Sequence, residues 1–205
     1  MKFKLISKKE FIWLILSVVT MGFCLSYLNL AAFGTDPCTT LNLKISEILG
    51  ISLGNWQALF NCILFIFVFF LAKEQIGWGT LANMFLVGYS FDFFATINNK
   101  ILPANLFESM TIRILFTIPA LTIFVFAAAI YMALQQGTAP YDAIPFIIHK
   151  KWSNIPFRMI RMSWDIGFCM LGILLGANLG IVTLIMAFTL GPVISYVQPK
   201  IKWLL

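Results

Sequence analysis

Polar positions punctuate this chain at long intervals, and the apolar runs between them are too long for the strands or amphipathic helices of a soluble domain. Six such runs read as membrane-spanning helices: 11–33, 56–72, 76–97, 114–134, 159–176 and 179–198. A bilayer core of about 30 Å needs about 20 helical residues at about 1.5 Å each. The second run is the shortest, and the fifth is interrupted by Asp165. The spans take up most of residues 1–205, so the expectation is a single all-α transmembrane domain with no soluble domain or long linker.

Composition agrees with the pattern. Hydrophobic residues make up 60% of the chain and charged residues 11%, against about 45–50% and about 25% in ordinary soluble domains. The first run follows Lys2, Lys4, Lys8 and Lys9 as a signal peptide would. Its apolar stretch exceeds the usual 7–15-residue signal core, and it has a counterpart later in the chain, so it reads as a retained helix. Cys24, Cys38, Cys62 and Cys169 show no C-x-x-C spacing and read as small apolar residues. With one histidine, His149 beside Lys150 and Lys151, the usual metal clusters are missing, and no nucleophile elbow, phosphate loop or Rossmann pattern occurs. The expectation is therefore neither an enzyme nor a cofactor or metal protein.

The net charge of +6 is explained by topology, without nucleic acid as a partner. With alternate loops on opposite sides, eleven basic residues fall together: Lys2, Lys4, Lys8, Lys9, Lys73, Lys150, Lys151, Arg158, Arg161, Lys200 and Lys202. Three fall opposite: Lys44, Lys100 and Arg113. The positive-inside rule makes the first side cytoplasmic. This predicts a multi-pass membrane protein with both termini cytoplasmic and the lipid bilayer as its surroundings. A homo-oligomer is compatible with it.

The chain also repeats itself. A shift of 103 residues superposes Gly34-Thr35-x-Pro37 on Gly137-Thr138-x-Pro140, Gly77 on Gly180, Thr80-Leu81 on Thr183-Leu184, Phe85 on Phe188 and Gly88 on Gly191. Glycine, threonine and proline preserved in separate blocks at one offset signal duplication. Repeat 1 spans about 9–99 and repeat 2 about 112–202. Each holds three spans, an odd number, so the second copy enters the membrane from the opposite side. Inverted repeats of this kind recur among secondary transporters.

Each Gly-Thr-x-Pro turn opens a short helix. Asp36 suits the N-cap and Pro37 the first helical position, while Leu41, Ile45, Ile48 and Leu49 form one apolar face. In the second copy Thr138 or Ala139 caps, Asp142 sits at the positive helix end, and Pro145 is expected to shorten or bend the helix. Such helices either lie on the interface or re-enter the membrane with their free N–H groups toward a substrate. The first run already crosses the bilayer, which favours the interfacial form.

Within the spans, Asp92 and Asp165 each cost about 2.5–3.5 kcal/mol on insertion scales and should face protein or water. Arg161 lies four residues before Asp165. It pairs with it on one helix face, or it snorkels to the cytoplasmic surface and neutralises Asp165 from there. Asp92 has no charged neighbour in sequence. It is the candidate proton or cation site, expected in a polar cavity between the halves; its repeat mate is Ser195. Gln57, Asn61 and Asn83 read as interhelical hydrogen-bonding groups, and Gly172, Gly176 and Gly180 as close packing. The candidate binding set is Gly34, Thr35, Asp36, Pro37, Asn83, Asp92, Gly137, Thr138, Pro140, Asp142, Arg161 and Asp165.

Two stretches resemble the bacterial YczE/YyaS/YitT family of integral membrane proteins. One is Gly34-Thr35-Asp36-Pro37-Cys38-Thr39-Thr40-Leu41-Asn42. The other runs from Gly77-Trp78-Gly79-Thr80-Leu81-Ala82-Asn83 through Gly88 to Asp92. The likeness extends more weakly along nearly the whole chain. The family's turn usually continues with Trp and Asp, where this chain has Cys38 and Thr39; Tyr141 and Asp142 in the second copy are closer. The resemblance implies membrane location and fold. The functional expectation is a secondary transporter or permease for a small molecule or ion. Its rival is a non-transporting assembly, immunity or regulatory subunit, which would have a dry core.

Overall fold

A computed structural model describes residues 5–103 and 105–201, with the side chains of Ser195 and Ile201 left aside. Lys2, Lys4, Lys202 and the side chain of Ser195 thus lie outside the described residues. Eight α-helices form the fold, with no strand among the described residues: α1 (Lys8–Ala31), α2 (Pro37–Leu49), α3 (Leu53–Leu71), α4 (Trp78–Ile101), α5 (Met110–Ala133), α6 (Pro140–Lys151), α7 (Phe157–Leu174) and α8 (Ile181–Ile201). The six predicted runs coincide with α1, α3, α4, α5, α7 and α8 to within a few residues, and the two short helices follow the Gly-Thr-x-Pro turns.

Local signals explain the ends. Ser7 and Glu10 form a capping box at α1, with Ser7 Oγ accepting from Glu10 N and Glu10 Oε2 accepting from Ser7 N, which satisfies two otherwise orphaned donors. Asp36 caps α2 by accepting from Thr39 N at 3.0 Å, Pro37 occupies the first helical position, and Gly50 ends the helix in the left-handed conformation. Ser52 caps α3. At α6 the N-cap is Ala139, which has no side chain to offer. Pro145 lies inside that helix. It removes one donor near the start of α6, and the helix runs on to Lys151, a single residue shorter than α2.

Five helices are long and apolar enough to cross a membrane: α1, α3, α4, α5 and α8. The fifth predicted span, α7, has 18 residues and carries Arg158, Arg161 and Asp165, so length and composition alone do not qualify it. The molecule is a multi-pass membrane protein. Large apolar side chains cover its flanks, among them Phe70 (71% exposed) and Leu174 (79% exposed). A water-soluble monomer rarely exposes such a surface, whereas acyl chains solvate it.

The core follows α1, which packs against both α4 and α5, while α5 packs against α8. Leu14, Val18, Leu25 and Leu28 of α1 are fully buried there with Phe91, Phe124 and Met186. The short helices cross over: α2 packs on α7, and α6 on α3. Two backbone hydrogen bonds tie the turns to distant helices. Val182 N donates to Phe33 O at 3.0 Å, and Gly79 N donates to Gln136 O at 2.7 Å. Each residue of the first bond differs by 103 from its counterpart in the second. The same holds where Gly34 abuts Gly180 and Thr183 while Gly137 abuts Gly77 and Thr80.

Candidate functional site

Gly34 (φ +92°) and Gly137 (φ +95°) reverse the chain in the left-handed region, where L side chains are strained. The reversals turn the first residues of α2 and α6 into the bundle. Six consecutive residues of α2, Pro37 to Asn42, are buried, whereas Glu47 to Gly50 at its other end are exposed. Helix α6 repeats this gradient, with Pro140, Tyr141 and Ala143 buried and Lys150 and Lys151 exposed. An interfacial helix would instead bury one face along its whole length. The apolar face read from the sequence splits accordingly, with Leu41 buried and Ile48 and Leu49 over half exposed.

The first turns of the two helices meet at Cys38 and Tyr141, positions 103 apart, which share an apolar cluster with Leu41 and Phe168. Beside them lies a cavity of about 170 Å³. Its wall includes Asp36 to Thr39 of the first turn, Ala139, Tyr141 and Asp142 of the second, Gln57 and Asn61 of α3, Asn83 of α4, Arg161 and Asp165 of α7, and Gln198 of α8. Phe146 and Phe157 also line it, so it extends toward the end of the bundle that bears Lys150 and Arg158.

Arg161 is the hub. Its Nε donates to Asp165 Oδ2 at 3.2 Å and its Nη1 to Asp142 Oδ1 at 2.5 Å. Its guanidinium stands 5.2 Å from the Tyr141 ring centroid, within cation–π range. Tyr141 Oη donates to the other Asp165 oxygen at 2.6 Å. Asp165 is therefore matched on both oxygens, as a carboxylate only 4% exposed requires. Both sequence readings of Arg161 have it neutralise Asp165, and the pair is formed. Near the basic end, Lys150 Nζ meets Glu74 Oε1 at 3.1 Å. Glu74's own backbone hydrogen bond, then Lys150, hold that carboxyl below the ordinary carboxylate range.

Of the candidate residues, the cavity brings together Asp36, Pro37, Asn83, Asp142, Arg161 and Asp165. Gly34, Thr35, Gly137, Thr138 and Pro140 do not line it. They set the reversals: Thr35 Oγ1 lies 2.9 Å from Thr40 Oγ1, and Thr138 N donates to Gln75 O. Asp92 does not line this cavity. Its Oδ2 accepts from Gly54 N at 2.8 Å, so it serves the N-terminus of α3, where a carboxylate complements the helix dipole. Lining residues outside the candidate set were partly legible. Gln57 and Asn61 are four apart, hence on one face of an otherwise apolar helix, and Tyr141 precedes Asp142 as Trp precedes Asp in the resembling family. Nothing in sequence marked Gln198.

Residues 8–199 match a family described as a family of unknown function, DUF6198. An uncharacterized protein of Haemophilus influenzae is 28% identical over 169 residues, 82% of this chain and 73% of that protein. The uncharacterized membrane protein YczE of Bacillus subtilis is 24% identical over 202 residues, 98% of this chain and 89% of its own length. No solved structure matches. The resemblance carried by the glycine-threonine turns and the α4 motif thus holds along the sequence, and the chain belongs to the DUF6198 family of membrane proteins, with YczE among its relatives.

Proposed function

We propose that this protein is a small secondary transporter, not an enzyme, that carries a small molecule or ion across the bacterial cytoplasmic membrane. It works by alternating access between two inverted three-helix repeats. The observation that carries the reading is the convergence of two buried helix N-termini, one from each repeat, on one cavity whose largely apolar wall carries charged and amide side chains. A non-transporting partner subunit has no use for buried carboxylates and amides around a void, since each costs free energy to place there.

On this reading α1, α3, α4, α5, α7 and α8 span the bilayer, with the charges of α7 turned inward. Helices α2 and α6 are re-entrant, their N-termini at mid-membrane as in other inverted-repeat transporters. Both termini and the Lys150–Arg158 end face the cytoplasm. The reciprocal 103-residue contacts support a pseudo-two-fold axis in the membrane plane. Rocking about that axis would open the cavity to each side in turn.

Cysteine accessibility tests this. In a background lacking the native cysteines, Asn83→Cys should react with a membrane-impermeant maleimide from either side of reconstituted vesicles. Reaction from one side only, under every condition of solute and gradient, rules out alternating access.

A further inference from the structure

The fixed charges around the cavity do not cancel, and their imbalance indicates what it holds. Among its lining residues the charged ones are Asp36, Asp142, Asp165 and Arg161, a formal balance of two negative charges. Arg161 is engaged by Asp142 and Asp165, and among the described residues no ion pair involves Asp36. The two helix N-termini each contribute about half a positive charge. About one negative charge is left, which a single monovalent cation would neutralise.

A second feature is the set of amides on the cavity wall. Gln57, only 6% exposed, is one of them. Asn61 and Asn83 belong to the same wall. Size decides between a bare ion and an organic one. A cavity of about 170 Å³ is comparable to the engineered void of about 150 Å³ that accepts benzene, so it has room for about six to eight non-hydrogen atoms. Phe124, Phe146 and Phe157 are part of the wall, and aromatic rings suit both a carbon skeleton and a cationic head. Sodium or potassium would leave those walls uncovered.

Resting on the transporter reading above, we propose that the cavity binds a small organic monocation, a protonated amine of about six to eight non-hydrogen atoms. Asp36 is its counter-charge, and the amides of Gln57, Asn61 and Asn83 accept its N–H groups. The counter-charge belongs to one repeat only, because Asp36 has Ala139 as its mate.

The test is calorimetric titration of the full chain in nanodiscs of neutral lipid, with benzylammonium as probe and benzyl alcohol as its neutral isostere. Saturable benzylammonium binding is expected, about tenfold or more tighter than benzyl alcohol. Asp36→Asn, which preserves the helix cap, should weaken it by about the same factor, and Gln57→Leu should weaken it as well. Equal binding of the alcohol, unchanged binding by a folded Asp36→Asn protein, or saturation only by sodium or potassium overturns the proposal. So does the absence of saturable binding across amines of five to eight non-hydrogen atoms. Because binding is read without transport, a failed titration beside two-sided labelling of Asn83→Cys removes the substrate class and leaves the transporter reading standing.

Discussion

At the residue scale, three glycines share a left-handed backbone and differ in what surrounds them. Gly34, Gly137 and Gly176 all have φ between +79° and +95°. Space is open at Gly176, where an added Cβ would meet only Lys44 Cε at 3.8 Å. At Gly34 it would run into the Thr183 hydroxyl and the Gly180 backbone, and at Gly137 into Thr80 and Gly77. Alanine at Gly176 should therefore cost about 1–2 kcal/mol of backbone strain. Alanine at Gly34 or Gly137 should cost that plus about 1–3 kcal/mol of overlap. Thermal denaturation in detergent measures the difference; equal shifts at all three sites would mean the turns do not bear on the bundle.

At the element scale, the arginine hub couples α6 to α7. Arg161 and Asp165 lie one turn apart on α7, but Asp142 belongs to α6, and the three side chains are 6–27% exposed. Breaking such a cluster from one side is costly because it strands charge: Arg161→Met should destabilise by about 3–5 kcal/mol. Combining it with Asp142→Asn and Asp165→Asn should restore most of that, since no charge is then left unpaired. Thermal melts of the single and triple variants decide this. A triple variant no more stable than the single one would show that the guanidinium acts by packing on Tyr141 and not by charge.

At the scale of the whole molecule, the two halves exchange contacts reciprocally, each turn seated on the helix that opens the other half's final element. An inverted arrangement puts the exposed ends of α2 and α6 on opposite membrane faces. Glu47 and Lys150 are repeat mates 103 residues apart, with side chains 71% and 68% exposed. Single cysteines at these positions should react with an impermeant reagent from opposite sides, the Lys150 position from the cytoplasm. Reaction of both from the same side would end the inverted-repeat reading, whatever the cavity binds.

How much of this was legible in the sequence follows from the range of the forces involved. Helix location is local: apolar run length and end signals such as Ser7, Asp36-Pro37 and Gly50 act within a turn, so all eight helices were readable. The 103-residue self-similarity was readable because it is a property of the string, and it singled out Gly34, Gly77, Gly137 and Gly180, which pack in pairs, Gly34 on Gly180 and Gly137 on Gly77. The amphipathic pattern of α2 left its setting open, because a bundle interior and a lipid interface both accept an apolar face and periodicity cannot tell them apart. Asp92 poses a related question. An isolated carboxylate in an apolar helix must find a partner, but its sequence does not say whether that partner is a cavity or, as here, the Gly54 amide of a neighbouring helix. Arg161 could be assigned to the surface or to Asp165 from spacing alone, while its bond to Asp142 spans 19 residues and exists only once α6 turns inward. Burial and pairing of polar groups depend on which helices become neighbours, and that choice belongs to tertiary packing.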